Sequence, residues 1–213
     1  ATPFPWQDAP VEPDLAQVLR ERIDLPDAEL ISLIQNSHGD EHREYFTQLM
    51  AHSCAYFAQE VLTGPSEPPY NGRFVISHHH EEWDDLLRSH KRLCILAPRD
   101  SGKTFFFDFA YPIWKAITAP KSTGYIFSAT QDQAIRILGD IKAEIEGNPR
   151  LQYLKPSFKG HSGRAWTSTV IKLANGSKIY ARGFGTKVRG AHPHWLIVDD
   201  ALKFVEREGR RGV

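Results

Sequence analysis

Residues 97–104 combine the side chains and the backbone freedom that phosphate binding requires. Gly102 lets the backbone come close to an anion, Lys103 can reach the outer phosphates of a nucleotide, and Thr104 can hold a magnesium ion. The helix expected to follow points its first amides toward the same place. Ala97 stands where the usual pattern has its first glycine, so an ordinary strand-to-helix turn is the competing interpretation.

Two apolar runs predict the strands that position this turn. Residues 93–96 read as a buried strand that stops at Pro98, because proline cannot donate to a neighbouring strand. Residues 195–198 read as a second buried strand, which ends in Asp199 and Asp200 at the edge where a parallel sheet presents its strand tips to a ligand. Two such aspartates could also simply cap a helix. Because both signals occur in the right order, we expect nucleotide binding, with Asp199 on the magnesium ion.

Length and composition limit the class of protein. A chain of 213 residues can bury one sizeable core and a small accessory unit, and its 26 basic residues balance 26 acidic ones. The apolar fraction of 41% is that of a globular protein, and no apolar run is long enough to cross a bilayer. Cys54 and Cys94 fall in a predicted helix and a predicted strand, which favours a reducing compartment. The first residue is Ala1, which suggests a processed product or a piece of a longer protein.

One stretch departs from this charge balance, because residues 147–198 contain no acidic residue. Its cations either line a track for a nucleic-acid backbone or supply charge to a transition state, or they form a solvated face that pairs with the acidic residues 1–50. The sequence leaves these interpretations open. The cationic residues are Arg150, Lys155, Lys159, Arg164, Lys172, Lys178, Arg182, Lys187 and Arg189, with three histidines beside them.

The N-terminal part reads as a small acidic helical unit. Residues 1–13 contain four prolines and predict an irregular arm. Helices are expected over residues 14–22, from residue 26 through Ile34, and over residues 41–62. Proline and glycine then predict a linker. The predicted organisation is therefore a helical unit over residues 1–63, a linker over 64–72 and a nucleotide-binding core over 73–213, apparently incomplete at its C-terminus.

Three adjacent histidines, residues 78–80, open the next predicted helix. Neighbouring side chains on a helix point about a hundred degrees apart, so these imidazoles do not converge on one metal ion without ligands from elsewhere. We expect a helix through Trp83 and Leu87 that packs in front of the core strand and could meet the base of a nucleotide.

Beyond the turn, strands and helices alternate as a parallel sheet requires. A helix from Lys103 to about Ile117 places Phe106, Phe109, Ile113 and Trp114 in the core. The further predicted elements are a strand over residues 123–128, a helix over 132–146, and a hairpin of residues 169–173 and 178–181 closed by Asn175 and Gly176.

With these residues in place, the chain resembles the ATPase part of the large terminase subunit of tailed phages, a motor that pumps DNA into the capsid. The resemblance rests on the arginine-bearing loop 97–104, on residues 79–83 upstream, on residues 128–131 after the second strand, and on residues 187–190 followed by 196–200. It implies an α/β P-loop NTPase fold with a mainly parallel sheet flanked by helices, preceded by the small helical unit.

The resemblance implies binding roles for the loop. Lys103 and Thr104 would bind the nucleotide phosphates and magnesium, and Asp199 would be the second magnesium ligand. The implied cofactors are ATP and Mg²⁺. The implied nucleotide-binding residues are Ala97, Pro98, Arg99, Asp100, Ser101, Gly102, Lys103 and Thr104.

Catalytic roles follow from the same resemblance. Besides Lys103, Asp200 would polarise the attacking water, where many such motors carry a glutamate. Arg99 would sense the terminal phosphate, and Arg189 or Arg182 would be an arginine finger toward a neighbouring subunit.

The implied function is ATP hydrolysis that drives double-stranded DNA into the capsid, in the cytoplasm of the infected bacterium. The implied partners are DNA, the small terminase subunit, the portal protein and other copies in a ring, with no membrane. A complete large terminase continues with further strands, a coupling motif and a nuclease domain, so we expect a truncated ATPase without nuclease activity. The alternatives are a helicase-like P-loop ATPase of another family, or a truncated nucleotide-binding or interaction module without turnover.

Overall fold

The computed structural model of the protein describes residues 27–64, 72–156, 166–186 and 192–199. The chain divides into two compact units, the first made of residues 1–106 and 148–150 and the second of residues 107–147 and 151–213. The predicted N-terminal arm and the helix predicted over 14–22 lie outside the described residues.

Four α-helices make up most of the described part of the first unit. They are α1 (Asp27–Asn36), α2 (Gly39–His52), α3 (Cys54–Glu60) and α4 (His78–Ser89). The helices predicted from residue 26 and from the three histidines are thereby confirmed. The apolar positions of α2 and α3 recur at helical spacing and are buried, which gives this unit its own core. That core includes Leu49, Met50, Cys54, Phe57, Val61, Phe74 and Trp83.

The single helix predicted over residues 41–62 is wrong, because the chain breaks at Ser53. Ser53 has an extended backbone, and its Oγ accepts a hydrogen bond from the Tyr56 amide at 3.2 Å. The Cys54 amide donates to a carboxylate oxygen of the buried Asp84 at 2.9 Å. Side-chain oxygens therefore satisfy two amides that a new helix start leaves free, and this makes the break favourable.

The predicted linker has its two ends side by side in the first unit. The Gly64 amide donates to the Gly72 carbonyl at 3.0 Å. A Cβ on Gly64 would lie 2.2 Å from the Phe74 nitrogen, so the close approach requires glycine. Residues 65–71 lie outside the described residues, and the predicted domain boundaries stay predictions.

The strand predicted over residues 93–96 is wrong, since residues 93–98 have no regular secondary structure. The side chain of Leu96 is 90% exposed, and Cys94 is exposed as well. An apolar run becomes a strand only where another strand accepts and donates its hydrogen bonds. The described strands all belong to the second unit and pair with one another.

The helix predicted to follow the loop forms, but it is not α-helical throughout. A π-helix occupies Thr104–Ala110 and leads directly into α5 (Tyr111–Thr118). Pro112 in the first turn of α5 has no amide to donate to the turn before it, which gives a physical reason for the wider upstream helix. Phe106, Ile113 and Trp114 are buried as predicted, whereas Phe109, also predicted in the core, is only half-buried.

The second unit contains a four-stranded sheet in the order β2-β3-β1-β4. Strand β1 runs parallel to both β3 and β4, whereas β2 and β3 form an antiparallel hairpin with Gly176 at a positive φ of 87°. The strand predicted over 123–128 and the hairpin are confirmed, but a mainly parallel sheet is wrong because the hairpin makes the sheet mixed. The strands are β1 (Thr123–Ser128), β2 (Val170–Lys172), β3 (Lys178–Gly183) and β4 (Trp195–Val198).

Helix α6 (Gln131–Gly147) packs against the sheet and buries one face of β3 and β1. A Cβ on Gly183 would lie 2.5 Å from the Gln131 nitrogen, so the start of α6 touches the end of β3 directly. The turn residues Asn175 and Ser177 both donate to the Ala116 carbonyl, at 2.7 and 3.1 Å, and so hold the end of α5. Among the helices of the described residues, none has the length and apolar character needed to cross a membrane.

Candidate functional site

The backbone of the glycine-containing loop is curved around Ser101. Asp100 and Gly102 on either side of it have positive φ angles of 61° and 75°. The Ser101 hydroxyl donates to the Pro98 carbonyl at 2.9 Å and closes the turn. Residues in the left-handed region turn successive amides toward one side, which is the arrangement that forms anion-binding concavities.

Much of the loop is exposed to solvent. Pro98, Arg99, Asp100 and Thr104 are exposed, and residues 101–103 are half-buried. The Gly102 carbonyl accepts from the Phe106 amide at 2.9 Å, so the helix begins immediately behind the loop. The backbone is thus fixed on its helix side while its outer surface stays accessible.

Two histidines of α4 hold the loop from its other side. Nε2 of His79 and Nε2 of His80 lie 2.9 and 3.0 Å from the Ser101 carbonyl oxygen, so both donate to it. A Cβ on Gly102 would come within 2.9 Å of His80 Nε2 and 3.4 Å of a Phe74 ring carbon. The loop therefore packs against imidazole and aromatic rings, and glycine is needed for contact as well as for φ.

The His80 ring lies in an aromatic cluster that keeps it uncharged. It contacts the rings of Phe74, Trp83 and Phe106 at centroid distances of 4.8, 5.2 and 5.8 Å. Burial lowers the pKa of His80 to about 4, the neighbouring His79 lowers it as well, and the hydrogen bond to the Ser101 carbonyl raises it. The imidazole is therefore neutral near pH 7.

The sequence predicts that these histidines lie in front of a core strand and near a nucleotide base, and it does not predict the Ser101 carbonyl as their partner. Although adjacent side chains on a helix point about a hundred degrees apart, the imidazoles of His79 and His80 meet on this one oxygen. The only signal in the sequence was the aromatic residues around the pair. The described residues contain no group of three or more histidine, cysteine or acidic side chains placed to hold a metal ion.

The second half of the predicted site belongs to the second unit. Asp199 follows β4, is 9% exposed, and donates its amide to the Phe127 carbonyl at 2.8 Å. The prediction that β4 is buried holds for only part of it, since Leu196 and Val198 are 53% and 49% exposed. The reason is its position, because among the described strands β4 is at the edge of the sheet and pairs with β1 alone.

Several predicted site residues lie outside the described residues. They include Asp200, the expected water-polarising carboxylate, and Arg189, the expected arginine finger. The roles assigned to both therefore stay predictions.

Gln131, the last residue of the 128–131 segment, has a structural role at the start of α6. Its side-chain amide donates to the Ala181 carbonyl at 3.2 Å and accepts from the Gly183 amide at 2.9 Å. Thr130 accepts from the Gln133 amide at 3.3 Å and begins the helix. The segment thereby attaches the β1-to-α6 turn to the end of β3.

The cations of the acid-free stretch are not equivalent. Arg150 is buried and donates a hydrogen bond to the Glu60 carbonyl at the end of α3. Its guanidinium group therefore stabilises the first unit. Arg182 lies over the Tyr180 ring at 5.3 Å and donates to the Ala181 carbonyl. Lys155 and Lys172 are exposed. Among the described cations of this stretch, the environments therefore range from buried to exposed.

The fold and the loop define an α/β protein with a mixed four-stranded sheet and, ahead of a helix, a turn in which Asp100 and Gly102 have positive φ. The family model for the terminase large subunit, T4likevirus-type, N-terminal, matches residues 94–208. This match spans more than half of the chain and includes the loop and all four described strands, so the chain belongs to this family. Comparison with curated proteins gave no match. Membership points to a role in phage DNA packaging.

Proposed function

We propose that this chain binds ATP and Mg²⁺ and hydrolyses ATP as the motor domain of a phage large terminase, driving double-stranded DNA into the capsid. The observation that carries the proposal is the loop backbone, in which Asp100 and Gly102 have positive φ around Ser101 directly before a helix. Family membership supplies the biological setting. The proposal includes a P-loop NTPase fold for the nucleotide-binding core.

The residues present fit a nucleotide phosphate. The loop has no side chain at Gly102, half-exposed Lys103 follows it, and the exposed Thr104 hydroxyl stands at the start of the helix. A lysine and backbone amides suit phosphate oxygens, and a hydroxyl suits magnesium. Bound magnesium would neutralise charge on the phosphate oxygens.

Further roles in this proposal come from the matching sequence positions. Asp199 is assigned as a magnesium ligand, Asp200 as the residue that orients water, and Arg99 as the group that senses the terminal phosphate. Arg189 or Arg182 is assigned as the finger toward a neighbouring copy. Each assignment can be tested by substitution, because each residue would contribute charge to a phosphoryl-transfer site.

The same proposal extends to the assembly. DNA, the small terminase subunit and the portal protein are the proposed partners, other copies of the chain form a ring, and the host cytoplasm is the proposed location.

The test is ATP turnover by the purified chain with magnesium, with and without double-stranded DNA. Lys103→Ala and Asp199→Ala should each lower turnover at least a hundredfold, since each removes charge from the phosphates or their metal, a loss of about 3 kcal/mol in the barrier. The matched control is Lys91→Ala, which removes an exposed lysine of the same unit and should leave turnover unchanged.

The outcomes separate the competing functions. Turnover that is lost in both variants and stimulated by DNA supports the motor. Binding of ATP without turnover identifies a nucleotide-binding module instead. If a folded chain binds no ATP, or if Lys103→Ala binds and hydrolyses it as well as the unsubstituted chain does, the proposal is wrong.

A further inference from the structure

We propose that His79 and His80 are positioning residues that hold the phosphate loop in its binding conformation through the Ser101 carbonyl. The inference rests on the proposed function for its effect on ATP, but its structural part concerns the loop alone. All the groups involved belong to the first unit.

Both histidines donate a hydrogen bond to the same acceptor, the Ser101 carbonyl oxygen. One carbonyl oxygen has two lone pairs, and the two Nε2 atoms at 2.9 and 3.0 Å use both. Ser101 lies between Asp100 and Gly102, the two residues with positive φ. Its carbonyl orientation is therefore coupled to the backbone turns on both sides, and the two donors fix that orientation from outside the loop.

The tautomer of His80 is determined by its second partner. Its Nδ1 lies 3.0 Å from the Ser77 amide nitrogen, and because an amide can only donate, Nδ1 must accept. The ring proton is then on Nε2, which faces the Ser101 oxygen. The start of α4 thus fixes His80 in the one neutral form that can hold the loop.

Packing leaves the His80 ring little freedom to turn away. It is 3% exposed and enclosed by Phe74, Trp83 and Phe106. Gly102 touches it directly, since an added Cβ would be within 2.9 Å of Nε2. A rigid donor on a helix limits the loop to fewer conformations, and a ligand that needs the turned conformation then loses less entropy on binding.

The neighbouring histidine of the same helix provides a natural control. His78 is 86% exposed and lies near the carboxylates of Glu81 and Glu82, at 3.9 and 3.5 Å. It differs from His79 and His80 in facing its own helix rather than the loop. The same substitution at the three positions therefore separates contact with the loop from any general effect on α4.

The experiment compares His79→Phe, His80→Phe and His78→Phe in the full chain. Phenylalanine keeps the ring and removes the donor. Hydrogen exchange of peptides covering the loop is measured without nucleotide, and the Kd for ATP is measured with magnesium. His79→Phe and His80→Phe should each speed exchange of the loop and raise the Kd about 3- to 10-fold, the value of one hydrogen bond. His78→Phe should change neither.

Two further variants show that donation is the property that matters. His79→Gln and His80→Gln place an amide donor near the Nε2 position and should recover much of the affinity and of the loop protection. His79 is only half-buried, so its variants keep the test informative if His80→Phe fails to fold.

The outcomes distinguish this proposal from the proposed function. If Lys103→Ala abolishes ATP binding but His79→Phe changes neither exchange nor Kd, the positioning role is wrong and the nucleotide site stands. If the unsubstituted chain binds no ATP but His79→Phe speeds exchange of the loop alone, the histidines position the loop and the ATPase proposal fails. Equal effects of His78→Phe and His79→Phe would also overturn the positioning role.

Discussion

The surroundings of His80 keep its imidazole neutral, and this has an effect on folding stability that can be measured. One ring nitrogen lies against the Ser77 amide and the other against the Ser101 carbonyl, and three aromatic rings surround the imidazole. A second proton would have to go on Nδ1, where it would face an amide hydrogen. Protonation therefore costs a hydrogen bond as well as the burial of a charge.

This environment predicts acid sensitivity of folding. The pKa of His80 is about 4 in the folded chain against an ordinary value of 6.5, so the unfolded chain binds more protons between these values. The free energy of unfolding should be unaffected by this group above about pH 7. It should fall by roughly 1 to 3 kcal/mol as the pH drops from 6.5 to 4, and then level off.

The measurement is urea unfolding of the chain and of His80→Gln at pH 7.5 and 4.5. Carboxylates that titrate in the same range contribute to both proteins and cancel in the difference. We expect the loss of stability on acidification to be smaller in His80→Gln. Equal losses in the two proteins would contradict the proposed burial of a neutral imidazole.

At the scale of elements, the pairing of β4 with β1 depends on a glycine beneath an aromatic ring. Gly124 pairs with Trp195, and a Cβ on Gly124 would lie 2.0 Å from atoms of the indole. Tyr111 packs its ring against the same indole at 6.1 Å. The strand that precedes Asp199 is therefore held by packing against aromatic rings as well as by its backbone hydrogen bonds to β1.

Gly124→Ala should destabilise the fold by about 1 to 3 kcal/mol, because the methyl group overpacks the indole. Thermal unfolding measures the effect. The control is Gly139→Ala in α6, where an added Cβ meets nothing within 4 Å and a gain of roughly 0.5 to 1 kcal/mol is expected.

A second substitution tests the cause of that loss. Trp195→Leu removes the indole with which the methyl group of Gly124→Ala would clash. The double variant should therefore lose less free energy of unfolding than the sum of the losses in the two single variants. Additive losses, or a Gly124→Ala variant as stable as Gly139→Ala, would contradict the packing argument.

At the scale of the whole molecule, the total charge is balanced but the distribution is not. The chain has equal numbers of acidic and basic residues, yet residues 147–198 have no acidic residue. Among the cations of this stretch that the structure describes, Arg150 is buried, Arg182 lies over a tyrosine ring, and Lys155 and Lys172 are exposed to solvent. DNA binding through this surface should accordingly depend on a few lysines and on salt.

The combined variant Lys155→Gln, Lys172→Gln and Lys178→Gln should weaken binding of double-stranded DNA about tenfold at low salt and make log K less dependent on log salt concentration. ATP turnover without DNA should not change. Fluorescence anisotropy over a range of salt concentrations measures both quantities. The control, Lys91→Gln, removes one exposed lysine outside the stretch, and an equal loss of DNA affinity in it would contradict a localised surface.

Elements whose signals are local could be predicted from sequence. The strand over residues 123–128 follows from a short continuous apolar run, and the hairpin around Gly176 follows from two apolar segments joined by an Asn-Gly turn. Helix α6 follows from its apolar spacing. The curvature of the loop at Gly102 could also be predicted from a local signal, because glycine is the residue that most readily adopts a positive φ.

Features that depend on residues far apart could not be predicted in this way. The helix break at Ser53 depends on Asp84, whose carboxylate accepts a hydrogen bond from the Cys54 amide thirty residues earlier in the chain. An apolar run before the loop remains without regular structure because pairing requires a neighbouring strand, which hydrophobicity does not provide. The exposure of β4 likewise depends on its place at the edge of the described sheet.

The sequence by itself therefore determined the local chemistry of this protein, namely a glycine turn with a lysine and a threonine, and carboxylates after an apolar run. Tertiary structure decided which groups support that chemistry. Two adjacent histidines converge on the Ser101 carbonyl, which lies 22 and 21 residues further along the chain, because the helix and the loop pack through a shared aromatic cluster. Spacing along the chain fixes neighbours within one element, whereas contacts between elements are fixed by packing.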